Sequence, residues 1–250
     1  MVETTRRDLQ IGQKIVSIMG EMGRAFDGSY AEYALLPNEQ IYPVDSQLPW
    51  SELAAVPETY YTAFGSFKNL QIKEGDSILV RAATSGVGLA FLKLVKAQFP
   101  QNRVVGVVRS LAKKDLLQQQ GFDEIILDEK GVLQTEEKFD KILELVGPAT
   151  LKNSFDHIQS AGIICNTGQL GGKWYVEEFD PIVEIKNNSF LTSFYSGNVS
   201  QQLIDELFSY IDAYQINLSS QRIFSLEQIP AAHSYIESQV GFGKMVVLND

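Results

Sequence analysis

The chain is 250 residues long, with 21 Lys and Arg against 31 Asp and Glu, so its formal charge is −10. An acidic chain without a basic block is a poor partner for nucleic acid or an anionic membrane, because both need clustered Lys and Arg. Its one cysteine, Cys165, rules out an intrachain disulfide and a four-cysteine zinc lobe.

At about 150 residues per domain the length covers one or two domains, and the apolar content is that of a globular chain. No apolar run approaches the ~20 residues of a membrane span. The N-terminal Met1 to Arg7 is polar and lacks the apolar core of a signal peptide. The expected location is the cytoplasm.

Residues 11–57 carry three short apolar runs, Lys14 to Met19, Tyr30 to Leu36 and Gln40 to Val44. Turn residues separate them (Asp27-Gly28-Ser29 and Pro37-Asn38), which predicts short antiparallel strands. From about Glu58 the rhythm changes. Strands are predicted at 77–83, 103–109, 124–128, 141–146, 162–165 and 190–195. Helices are predicted at 87–99, 111–120, 151–158 and 201–214, with Gly121 at a helix C-cap. Strands alternating with helices at this spacing imply an α/β fold with a doubly wound parallel sheet. Ser225 and Gln228 have capping-box spacing and predict a further helix to about Ser238. A last strand at 243–248 is expected to return to the strand-rich front.

The junction Ala83-Thr84-Ser85-Gly86-Val87-Gly88 ends an apolar strand and opens a helix. Small residues there let backbone N–H groups approach a pyrophosphate, and the helix N-terminus adds its positive end. The plain alternative is an ordinary strand-to-helix turn. After the next strand, NAD sites place an Asp or Glu to hold the ribose. This chain has Arg109 and Ser110 there, then Lys113 and Lys114. A guanidinium, a hydroxyl and an ammonium suit a 2′-phosphate, so the pattern reads as NADP(H); the alternative is a solvated helix face. A methyltransferase-like fold would need an acidic residue where Arg109-Ser110 stands. His157 and His233 each lack a second ligand at metal spacing, so no metal site is predicted. No residue stands out as catalytic; Tyr30, Tyr33, Tyr60 and Tyr61 read as aromatic packing.

With these residues placed, the chain resembles the medium-chain dehydrogenase/reductase superfamily, in its zinc-free quinone oxidoreductase and enoyl reductase branch. The segments that carry the resemblance are GSYAEYALLP (28–37), AAVPETYYTAF (54–64), EGDSILVRAATSGVGLA (74–90) and KKDLLQQQGFDEII (113–126). They continue with FDKILELVG (139–147), AGIICNTGQLGG (161–172) and IPAAHSYIESQVGFGKMVVL (229–248). The resemblance implies a Rossmann dinucleotide-binding domain over 58–224. It also implies a partial, strand-rich GroES-like catalytic domain over 1–57 and 225–250, lacking its usual front. It implies that Thr62, the loop Asn166-Thr167-Gly168-Gln169, and Phe190-Leu191-Thr192 lie beside the nicotinamide. Lys113 would contact the 2′-phosphate, and Gly243-Lys244 would close near the cofactor. The implied activity is NADPH-dependent, metal-free reduction of a quinone or an activated alkene such as an enone or enal, by a homodimer. The alternative is a degenerate NADP(H)-binding protein with little turnover.

Overall fold

The computed structural model describes residues 1–218, 220–238 and 243–249. In chain order it begins with β1 (Ile15–Val16), β2 (Tyr42–Pro43), α1 (Trp50–Leu53) and α2 (Thr59–Leu70). The alternating part follows: β3 (Ile78–Arg81), α3 (Gly86–Gln98), β4 (Val104–Val108), α4 (Lys114–Gln119), β5 (Glu124–Glu129) and β6 (Val132–Leu133). Next come β7 (Phe139–Glu144), α5 (Leu151–Asp156), β8 (Ile158–Asn166), α6 (Pro181–Glu184) and β9 (Phe190–Ser193). The chain closes with α7 (Gln201–Tyr214), β10 (Arg222–Ser225), α8 (Ile229–Glu237) and β11 (Met245–Leu248). Two compact units result: Thr62–Tyr195, and Met1–Tyr61 with the described residues of Ser196–Asp250. Among the described residues no helix is long and apolar enough to cross a membrane.

The first unit holds a seven-stranded sheet in the order β6-β5-β4-β3-β7-β8-β9. Every neighbouring pair is parallel except β5 with β6. Strand order runs outward in both directions from β3 and β7, which makes their junction the topological switch point. Strands buried on both faces read as unbroken apolar runs. All five residues of β4 and all four of β3 are buried, Arg81 included. Leu79, Val105, Ile126, Phe139, Ile142 and Ile164 are core residues of this sheet, with Phe155 of α5 packed among them. Gly106 in β4 leaves room for the turn after β3: a Cβ there would lie 2.9 Å from the Ala83 Cβ.

The helix ends follow local chemistry. Gly121, at φ +113°, sits just past α4 as a C-cap requires. The capping box between Ser225 and Gln228 forms ahead of α8. Helix α5 stops at Asp156, short of the expected 158, and β8 takes up the chain from Ile158. The two-residue β6 is too short to show in a sequence pattern.

In the second unit β1 and β2 pair antiparallel, matching two of the three expected front strands. The third, Tyr30 to Leu36, is not a strand. Tyr30, Tyr33 and Leu35 are 61%, 71% and 91% exposed. A strand with no covered face gains nothing from its apolar residues, so no ladder forms. The closing strand β11 belongs to the same unit as the front and packs against α1. β11 pairs in parallel with β10, which carries no turn-flanked signature of its own, and α8 connects the two. Asn249 Nδ2, donating to Ala31 O at 3.0 Å, and Tyr30 Oη, 3.0 Å from His233 Nε2, also tie the described tail to the front run. Helix α7 belongs to this unit, where Gln201 Nε2 donates to Pro43 O at 2.9 Å.

Candidate functional site

The candidate site is built on the switch point. β3 ends at Arg81, and Ala82 turns the chain at φ +60°. Ala83 N–H donates to Val107 O at 3.0 Å, extending the ladder by one bond. Ser85 then caps α3, its Oγ accepting the Gly88 N–H at 3.0 Å while its carbonyl takes the Leu89 N–H. This leaves the N–H groups of Gly86 and Val87 without intrahelical partners, at the positive end of the helix dipole. Gly88 is buried, and a Cβ there would lie 2.9 Å from Ala82 O.

Beside this turn opens a cleft of about 1120 Å³. Thr84, Ser85 and Arg109, all expected from sequence, line it. Arg109 is exposed and follows directly on β4. Ser110 is exposed, its Oγ accepting from Ala112 N–H at 3.3 Å, and Lys113 is half-buried in the next turn. Ala83 faces inward and is fully buried, so the cleft contact falls to its neighbour Ala82. The lining continues on two walls. One wall is the β5–β6 turn, with Asp128 and Gly131; the other includes Val146, Thr150 and Gly171.

The loops after β7 and β8 pack backbone against backbone. A Cβ on Gly168 would lie 2.1 Å from Leu145 O, and one on Gly147 would lie 2.3 Å from Gly168 O. Thr167 N–H and Gly168 N–H both donate to Glu144 O. A hydroxyl chain ties the same loop to α2. Ser66 Oγ donates to Thr62 O and lies 2.8 Å from Thr167 Oγ1, which is 3.3 Å from the buried Cys165 Sγ. Asn166 Oδ1 and Thr62 Oγ1 are both buried without a hydrogen-bond partner. Buried polar atoms are nearly always paired, so these two orphans suit polar groups of a ligand.

Glu144 is fully buried at the end of β7. Its Oε1 accepts the N–H groups of Val146 and Gly147, and its Oε2 accepts Ser154 Oγ–H at 2.5 Å. Burial pushes its carboxyl above the ordinary range, against the opposing pull of Arg81 and the Ser154 hydrogen bond.

Of the expected residues only Thr84, Ser85 and Arg109 are on the cleft lining; Thr62 and the loop Asn166-Thr167-Gly168-Gln169 are not. Phe190, Leu191 and Thr192 form the edge strand β9 beside β8, with Thr192 opposite Cys165. Gly243 and Lys244 belong to the other unit. There burial pulls the Lys244 ammonium below its ordinary value, with Glu58 opposing. The donor set does not fit zinc. Among the described residues no three His, Cys, Asp or Glu side chains cluster as metal ligands. His157 Nδ1 lies 3.0 Å from Glu137 O, and His233 Nε2 lies 3.0 Å from Tyr30 Oη.

Residues 120–247 match the profile of the family described as zinc-binding dehydrogenase. The quinone oxidoreductase of Pongo abelii is 24% identical over 237 residues, which covers 88% of this chain and 69% of that protein. Probable polyketide synthase 14 of Dictyostelium discoideum is 24% identical over 97% of this chain, which spans only 8% of that protein. Two solved structures share the fold. The Bacillus subtilis protein yhfP with NAD bound superposes with a TM-score of 0.83 at 22% identity, over 99% of this chain and 78% of its own. The yhdH oxidoreductase of Salmonella enterica in complex with NADP does so with a TM-score of 0.82 at 16% identity, over 98% of this chain and 77% of its own.

Proposed function

Because the chain belongs to the zinc-binding dehydrogenase family, we propose that it is an NADPH-dependent oxidoreductase acting on a quinone or an activated alkene. The observation that carries this reading is the cleft at the sheet's switch point, with a helix N-terminus beside it and Arg109 on its lining. The quinone oxidoreductase relatives and the NADP complex of a fold neighbour support it.

When bound, the dinucleotide supplies the hydride from its nicotinamide ring. The protein's part is to hold and orient. The N–H groups of Gly86 and Val87 would bind the pyrophosphate. Arg109 would pair with the 2′-phosphate, helped by Ser110 and Lys113. Asn166 Oδ1 and Thr62 Oγ1 would take the nicotinamide amide, since both are buried and unpartnered. No step runs through zinc, because the described side chains offer no ligand set for it. Gly243 and Lys244 remain part of the proposal on the strength of the resemblance alone.

Titration with NADPH and NADH tests this. The protein should bind NADPH tightly and NADH weakly, and Arg109→Ala should weaken NADPH by about tenfold with little effect on NADH. Equal affinities of the unaltered protein for the two would remove the 2′-phosphate argument. NADPH consumption with 9,10-phenanthrenequinone then separates an enzyme from a protein that only binds the dinucleotide.

The proposal extends to a two-fold pair. β9 is a sheet edge with Phe190 59% and Leu191 37% exposed, and an uncovered edge invites a second strand. Light scattering should give twice the chain mass, 27.9 kDa. A clean monomer would end this part of the reading.

A further inference from the structure

Arg81 is 0% exposed at the end of β3, and it does not itself line the cleft. Its guanidinium reaches both walls. On one side Nη2 donates to Asp128 Oδ2 at 2.6 Å and to Gly131 O at 3.2 Å. On the other, Nη1 donates to Thr150 O at 3.1 Å, Asn153 Oδ1 at 3.2 Å and Ser154 Oγ at 3.0 Å. Asp128, Gly131 and Thr150 all line the cleft. The bonds are relayed outward. Asp128 Oδ1 accepts Gly131 N–H at 2.6 Å, and Asn153 Oδ1 also accepts Leu133 N–H at 3.1 Å. Glu144 Oε2 lies 3.8 Å from Nη1.

A buried ion pair of this kind adds little net stability, because desolvation offsets the attraction. Its effect is on geometry and charge. It fixes the β5–β6 turn against the start of α5, which sets the distance between the walls. It also neutralises Asp128, whose bare carboxylate would otherwise repel a phosphate-bearing ligand in the same cleft. From this we infer that Arg81 is a positioning residue for the adenosine end of the dinucleotide. It acts through Asp128, Gly131 and Thr150 without touching the ligand. This inference rests on reading the cleft as the NADPH site.

The test titrates three probes against the full chain: NADPH, adenosine 2′,5′-bisphosphate and reduced nicotinamide mononucleotide. Arg81→Met should weaken NADPH and the bisphosphate by about tenfold and leave the mononucleotide unchanged. Adding Asp128→Asn to that variant should restore part of the loss, because the uncompensated carboxylate is gone. Arg81→Lys should fall between, since one ammonium can meet Asp128 but cannot span both walls. Unchanged bisphosphate binding in Arg81→Met would overturn the inference. So would an equal loss for all three probes, which is what general loosening produces. If the Met variant does not fold, the Lys variant decides by the same comparison. Failure of the unaltered protein to bind NADPH would instead overturn the function reading on which the inference stands.

Discussion

Gly168→Ala is expected to cost about 3 kcal/mol or more, at the upper end of overpacking changes, and to weaken binding in the cleft strongly. The added Cβ would lie 2.1 Å from Leu145 O and 2.6 Å from Leu145 C. Both are backbone atoms, so no side chain can swing aside. The loops must separate, and each is pinned close by. Gly171 N–H donates to Val146 O at 2.8 Å and Leu170 N–H to Leu145 O at 3.2 Å. Leu170, Gly171 and Val146 line the cleft, so the separation is felt where the ligand sits. Urea unfolding and NADPH titration of the same variant check both effects. A midpoint near that of the unaltered protein would mean that the two loops are not in contact.

Glu144→Ala is expected to lose about 3–5 kcal/mol. It strands the Val146 and Gly147 N–H groups and the Ser154 hydroxyl in a site with no water-exposed surface, and each unmet group costs about 1–3 kcal/mol. A pH signature goes with it. Burial holds the Glu144 carboxyl above its ordinary value of 4.5. The folded state therefore keeps this proton at pH values where the unfolded chain has released it. The associated stability is complete below 4.5 and is lost as pH rises through the folded-state value. Glu144→Gln cannot titrate. Relative to that variant, the unaltered protein should lose stability as pH climbs above 4.5. Chemical unfolding across pH measures the difference, and a flat or rising difference curve would contradict the burial argument.

The sheet was readable in the chain because β3 and β4 are unbroken apolar runs flanked by a small-residue turn and by Arg109. Those features are local. Arg81 was not readable as a brace behind the cleft walls. A lone arginine at the end of an apolar run looks like a strand surfacing, and its burial depends on Asp128, 47 residues away, and on Thr150, 69 residues away. Val146, Ala149 and Leu170 line the cleft without any chemical signature, because small and apolar residues occur everywhere. Gly147 and Gly168 make sense only as a pair, since each excludes a Cβ because of the other's loop. The run at Tyr30 to Leu36 fails for the opposite reason: its pattern is that of a strand, but Tyr30, Tyr33 and Leu35 all stay exposed.

The hydroxyl chain at the end of β8 has a consequence for reactivity. Cys165 is the chain's single thiol, fully buried against Thr167 Oγ1, and burial raises its pKa above the ordinary thiol value. A thiolate-directed reagent can reach it only when this strand end opens. Its modification rate therefore counts openings at that one place, free of any background from other cysteines. The protein carries its own clock for local breathing at the end of β8, and no label has to be engineered in.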